Sequence, residues 1–183
     1  MKKTLVTAAV LAAICSAPAA FAAEGKDVGT LTINGLIKGT TCHFDSSAHS
    51  AEITMHQIGT SAFEGLNPGN AYHNYQNKTT TPFKIYCDAG AGVPKLKFLG
   101  SDFEVTGASS VTKNTNEETK NVGYALLMNG QRVNTDGSTP VAATPSANGE
   151  YQFDISAMYA RAAAGQVNGG AVNSVVTFTV VAD

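Results

Sequence analysis

Gly29-Thr30-Leu31-Thr32-Ile33-Asn34-Gly35 alternates apolar and polar residues, and so does the run from Val175 to Val181 near the other end of the 183-residue chain. Strict alternation is the pattern of a β-strand with one buried face. Neither segment has an obvious pairing partner close by in sequence. A strand with one apolar face and unpaired backbone groups is a template for another chain, so a protein carrying one at each end is a candidate polymer subunit.

Residues 1–22 read as a targeting segment and are set aside before any fold argument. Met1-Lys2-Lys3 supplies a positive start, Thr4 to Ser16 a mostly apolar stretch, and Ala20-Phe21-Ala22 a small-x-small cleavage site that puts the mature N-terminus at Ala23. The apolar stretch is too short for a permanent membrane anchor. A lipoprotein reading of Cys15 is disfavoured because Ile14 sits where a small residue is wanted. No later segment has the length and continuity of a transmembrane helix, so the mature chain is expected to be exported and soluble. About 160 residues remain, one domain's worth of chain. The formal charge of −2 becomes slightly more negative once Lys2 and Lys3 leave. Dispersed lysines on a mildly acidic surface give no electrostatic footprint for nucleic acid or an anionic membrane.

With Cys15 removed, Cys42 and Cys87 remain. Two cysteines in an exported chain read as one disulfide. Closing a loop of about 46 residues stabilises the fold by about 4 kcal/mol on the chain-entropy estimate. A metal or nucleophile role is disfavoured, since neither cysteine has a second one, or an acid-base set, nearby in sequence.

Between these landmarks, period-2 segments alternate with turn signals. Ala51 to His56 alternates around Ile53 and Met55; Phe83, Ile85 and Cys87 share one face; Leu96 and Phe98 alternate with Lys95 and Lys97. Val122 to Met128 is continuously apolar, as a central strand buried on both faces would be. Tyr151 to Ile155 alternates again, and the single helical hint is Ala157 to Ala164. Pro68-Gly69, Asn129-Gly130, Asp136-Gly137 and Asn148-Gly149 supply the positive φ angles of tight turns. Ser109 to Lys120 and Thr135 to Asn148 are polar enough for long loops. The expectation is an all-β sandwich of immunoglobulin-like character. Residues 23–41 contain Gly25, Gly29, Gly35 and Gly39 and too few large side chains to form a core. The nine residues from Asp27 to Gly35 would span roughly 30 Å when extended, enough to run the length of a sandwich sheet.

Catalytic patterns are missing from this reading. His43, His49, His56 and His73 fall in or near expected loops and fit no compact ligand motif, so no metal site is assigned. There is no nucleophile elbow, zinc helix or phosphate-cradling glycine loop, and Glu117-Glu118 lies in a polar stretch that reads as a solvated turn. Neither an enzyme nor a cofactor is expected.

The chain resembles the pilin subunits of chaperone-usher fimbriae, of the type 1 major-subunit kind, along essentially its whole length. The resemblance is carried by Gly35-Leu36-Ile37 leading to Cys42, Thr81-Pro82-Phe83-Lys84-Ile85-Tyr86-Cys87, Leu96-Lys97-Phe98-Leu99-Gly100 and Val122-Gly123-Tyr124-Ala125-Leu126. Further carriers are Phe153-Asp154-Ile155-Ser156-Ala157-Met158-Tyr159, Ala164-Gly165-Gln166-Val167 and Val176-Thr177-Phe178-Thr179-Val180. Each block alone is a weak signal; their order and spacing after an export signal carry the match.

That resemblance implies an incomplete immunoglobulin-like β-sandwich lacking its last strand, with residues 42–183 as the pilin domain and 23–41 as a donor-strand arm. A periplasmic chaperone would lend the missing strand. At the outer-membrane usher, the arm of an identical or related subunit would then replace it and build a fibre on the cell surface that supports adhesion. The groove-facing arm residues would be Asp27, Gly29, Leu31 and Ile33. The strand beside the groove would present Val176, Phe178, Val180 and Ala182, with the carboxylate of Asp183 available to a basic pair on the chaperone. Ala182 departs from the family, which has an aromatic near the terminus. The competing local reading makes Gly29 to Ile37 an edge strand paired within its own domain. The competing function is a receptor- or glycan-binding sandwich, adhesin or lectin-like, outside any fibre shaft. A tip adhesin of the family carries a lectin domain in place of the arm, whereas this chain carries the arm.

Overall fold

The computed structural model describes residues 29–35, 42–45, 50–79, 82–135, 139–140 and 149–182. In chain order the strands are β1 (Gly29–Gly35), β2 (Cys42–Phe44), β3 (Ser50–Met55), β4 (Asn77–Lys78), β5 (Phe83–Cys87), β6 (Lys95–Phe98) and β7 (Phe103–Val105). There follow β8 (Val111–Thr112), β9 (Val122–Met128), β10 (Gln131–Arg132), β11 (Thr139–Pro140), β12 (Glu150–Phe153), β13 (Ile155–Arg161) and β14 (Asn173–Val181). Short 3-10 turns at Thr60–Phe63, Gly100–Asp102 and Gly107–Ser109 are the helical elements among the described residues. The fold is an all-β sandwich.

One layer is a five-stranded sheet in the order β11-β6-β14-β1-β3. Facing it are a four-stranded sheet, β10-β9-β13-β4, and a three-stranded sheet, β12-β5-β2. The alternating strands aim their apolar residues between the layers: Ile53 and Met55 from β3, Phe83 and Ile85 from β5, Leu96 and Phe98 from β6 are all buried. Phe178 of β14 is the hub. Its ring lies 5.7 Å from Phe44, 5.5 Å from Phe83, 5.6 Å from Phe98 and 6.4 Å from Phe153, joining strands of both layers. Edge-on and tilted aromatic pairs at these separations add to the burial of the rings themselves. Cys42 and Cys87 face each other across β2 and β5 and are joined as a disulfide.

β9 is buried at every position, as its unbroken apolar run predicts. Its inner face carries Tyr124 and Leu126, while Ala125 and Leu127 belong to a second, smaller cluster with Val111, Met158 and Ala160. The two-stranded β7–β8 element covers this outer cluster. Burial displaces the Tyr124 phenol upward from its usual range, and its hydroxyl donates to the Val172 carbonyl at 2.6 Å.

Two local expectations fail. Ala157 to Ala164 is no helix: Ile155–Arg161 is β13, paired residue by residue with β9. Alanine favours helix only weakly, and cross-strand pairing along the whole segment overrides that preference. Small residues are needed because both faces are covered, Ala157 in the main core and Ala160 in the second cluster. Nor is Tyr151 to Ile155 one strand. The chain breaks at Asp154, so that β12 pairs with β5 and β13 with β9 in a different sheet. The Asn129-Gly130 turn forms as expected, with φ of 50° and 81° between β9 and β10. Gly137 and Asn148 lie outside the described residues; Gly149 has φ of 73°. Within Ser109 to Lys120, β8 interrupts the loop, and successive Asn side chains then hold the turn: Asn116 N donates to Asn114 Oδ1 and Glu118 N to Asn116 Oδ1.

Gly123 marks the closest approach of two layers of backbone. A Cβ there would collide with the carbonyl of Thr112 on β8. Thr112 also ties three strands together, accepting from Tyr124 N at 2.9 Å and sharing a hydrogen bond with Ser174 of β14 at 2.8 Å. Gly123→Ala is expected to destabilise the protein by about 1–3 kcal/mol through this overpacking. A urea melt of the variant indistinguishable from the parent would show that β8 is not seated on β9 in solution.

Candidate assembly site at the terminal strands

β1 occupies a slot one strand wide. It pairs in parallel with β14, from Thr30 opposite Asn173 to Gly35 opposite Phe178. On its other side it pairs antiparallel with β3, from Gly29 opposite Met55 to Asn34 opposite Ser50. β14 and β3 do not pair with each other, so without β1 each would present an open edge in the middle of the sheet. The β1–β14 ladder is the one parallel pairing among the described strands.

The floor of the slot is apolar. Leu31 sits opposite Ile53 and Ser174 and is fully buried, as are Ile53, Val176 and Phe178. Burying a leucine contributes about 1.5–3 kcal/mol, and each backbone hydrogen bond adds about 1 kcal/mol net. Beyond Phe178, β14 runs on to Val181 with β6 on one side only; among the described residues no strand pairs with its other edge over Thr179–Val181.

No family model matches the chain. It is 30% identical over its full length to an uncharacterized fimbrial-like protein, YehD, of Escherichia coli (strain K12), and covers all of that protein. It is 29% identical to a type-1 fimbrial protein subunit of Serratia marcescens, over 98% of each chain. The chain belongs to the fimbrial subunit family. Both relatives bear fimbrial names, and neither name is that of an enzyme.

Within this fimbrial subunit, Gly29 and Leu31 of β1 lie in the slot, and the backbone of Ile33 pairs with Ala51 and Val176. Asp27 is outside the described residues, as are residues 1–22 of the expected export signal. Val176, Phe178 and Val180 are buried on the inner face of β14, and Ala182 packs partly buried against the same core. Asp183 is outside the described residues. What the alternation of Ala51 to His56 did not reveal is that β3 forms the second wall of the slot; period-2 patterning reports a buried face and is silent about the edge partner.

Among the described residues the histidines form no metal cluster. His43 is on β2 with its ring 5.8 Å from Tyr86, His56 follows β3 with its ring 5.6 Å from Tyr75, and His49 is outside the described residues. No group of three His, Cys, Asp or Glu suited to a metal occurs among the described residues. No helix there is long and apolar enough to cross a membrane.

If β1 fills the slot of the isolated subunit, Leu31→Ala should cost about 2–5 kcal/mol, the range for a fully buried leucine. Chemical denaturation of the monomer measures this. An unchanged midpoint would place β1 outside the slot.

Proposed function

We propose that this fimbrial subunit polymerises by giving β1 to the slot of a neighbouring copy, building a surface fibre that supports adhesion. The observation that supports this reading is the position of β1: the first described strand is inserted between β14 and β3, which do not pair with each other. β1 precedes every other described strand, so it can leave and enter a neighbour without unthreading the rest of the sandwich. An open slot would be an aggregation hazard in the periplasm. A periplasmic chaperone strand lying along β14 would protect it until the outer-membrane usher brings the next subunit's arm, and the unpaired edge at Thr179–Val181 gives such a strand a place to add. The subunit passes in this scheme through the periplasm to the cell surface.

The disulfide has a mechanical part in the scheme. Load entering through a donated arm would reach the body of the subunit at β2, directly after the connection from Gly35 to Cys42, and β2 is bonded covalently to β5.

Two experiments test the reading. Leu31→Asp should fold on the chaperone, which supplies its own strand, yet form no fibres, because the arm would carry an unpaired charge into an apolar slot. Fibres of normal length from this variant would refute the arm assignment. Separately, mature protein lacking residues 23–36 should aggregate or melt at low temperature, and the same segment appended after Asp183 through a flexible linker should restore a monomer with a sharp, high transition. A truncated protein as stable as the appended one would mean that the sandwich is complete without a donor.

A further inference from the structure

The outer face of the five-stranded sheet, opposite the core, carries an apolar pair. Val175 is 47% and Leu99 52% exposed, two of the three large hydrophobic residues exposed among the described residues. Leu99 extends β6 alongside β14, its amide donating to the Thr177 carbonyl at 2.9 Å. The same face has exposed charges at opposite corners. Lys97 on β6 lies beside Thr179 of β14, whereas Glu52 on β3 lies beside Thr32 of β1, which in turn lies beside Val175. Neither Lys97 nor Glu52 has an ion-pair partner among the described residues.

From these registers and sheet spacings of about 4.8 Å between strands and about 3.3 Å per residue, Glu52 lies roughly 14 Å across and roughly 13 Å along the sheet from Lys97. A two-fold axis in the plane of contact reflects the face onto itself. When it runs at about 45° to the strands, midway between the two charges, it carries Lys97 onto Glu52 and brings Leu99 to within roughly 3 Å of Val175. One operation thus matches charge with opposite charge and apolar with apolar. The strands of the two copies would cross near a right angle, one of the two standard ways for sheets to pack. An axis running along β6 or straight across the strands does not bring the charges together.

We infer that this face is a self-complementary contact for a second copy of the chain. Four matched side chains are far fewer than the roughly 20–30 residues a side of a stable dimer, so free subunits associate only weakly through them. A two-fold contact cannot repeat within a fibre whose subunits all point one way. It joins subunits of neighbouring fibres, where many weak contacts act together. This fibre-scale consequence rests on the polymer reading above; the face-to-face match itself does not.

The test uses fibres of the full chain, scored separately for length by electron microscopy and for lateral association by low-speed sedimentation. Wild-type fibres should associate and pellet. Glu52→Lys and Lys97→Glu should each leave fibre length unchanged but lower the pelleted fraction several-fold, and the double variant, with the charges exchanged, should recover it. Single variants that pellet like wild type, a double variant that fails to recover, or wild-type fibres that stay dispersed would each overturn the assignment. Fibres that fail to form at all would count against the arm reading instead. The face is then tested on soluble subunits: an equal mixture of Leu99→Cys and Val175→Cys proteins should form disulfide heterodimer in clear excess of the twofold over each homodimer that random pairing gives, and the random 1:2:1 distribution would overturn the contact.

Discussion

The structure depends on a backbone requirement: a strand in the middle of a sheet must have partners on both sides. β14 supplies the hub of the core through Phe178 and is held by β6 on one edge. Its other edge, together with the facing edge of β3, needs one more strand, and among the described residues the body of the sandwich has none to give. β13 and β9 are committed to each other, β5 lies between β2 and β12, and β6 lies between β11 and β14. The segment that fills the position comes from before the first disulfide cysteine. Unpaired backbone groups buried in a sheet cost more than the hydrogen bonds they would otherwise make, so the vacancy has to be filled by something.

The core is arranged so that this dependence does not spread. The aromatic cluster around Phe178 draws on β2, β5, β6 and β12, strands that stay paired whether or not β1 is present. The second cluster, closed by β8 across Gly123, lies on the far side of β9 from the slot. The disulfide fixes β2, the strand that follows the arm, to β5. Leu31 is therefore a removable piece of the core with respect to that cluster: its departure leaves the cluster's strands paired, whereas β3, whose ladder is with β1, loses its sheet partner.

Much of this was legible from residue patterns. Alternation at Ile53 and Met55, at Phe83 and Ile85, and at Leu96 and Phe98 reports one buried face, which needs no knowledge of the partner. The unbroken run in β9 reports burial on both faces. β13 escaped because two covered faces demand small residues, and Ala157, Ala160 and Ala162 in sequence resemble a helix former as closely as a close-packed strand. The switch of sheets at Asp154 was invisible for a related reason: β12 and β13 keep the same period on either side of it, and period carries no information about which sheet a strand joins. The position of β1 between β14 and β3 was hidden for the same cause. Alternation shows that the arm has a face to bury, and only the register of backbone pairing shows where.

The direction of β1 bears on how readily it can be exchanged. β3 and β14 run antiparallel to each other, so any strand placed between them is parallel to one and antiparallel to the other. Reversing the strand exchanges the two ladders and leaves their number and type unchanged. Parallel pairing is slightly weaker per residue than antiparallel pairing, yet that difference cancels between a strand inserted in one direction and a strand inserted in the other. Backbone geometry therefore does not favour the chain's own arm over a neighbour's. The chain's own arm has the advantage of being tethered, which gives it a high effective concentration at the slot. On the proposed exchange, a neighbour's arm would have to offset that advantage with contacts the tethered one does not make. The edge of β14 at Thr179–Val181, left without a partner when β1 ends opposite Phe178, is where such contacts are to be had. A strand longer by those residues would extend the ladder along Thr179–Val181. On the proposed exchange, therefore, the backbone ladders would distinguish a neighbour's arm from the chain's own by the length of strand paired along β14 and not by its direction.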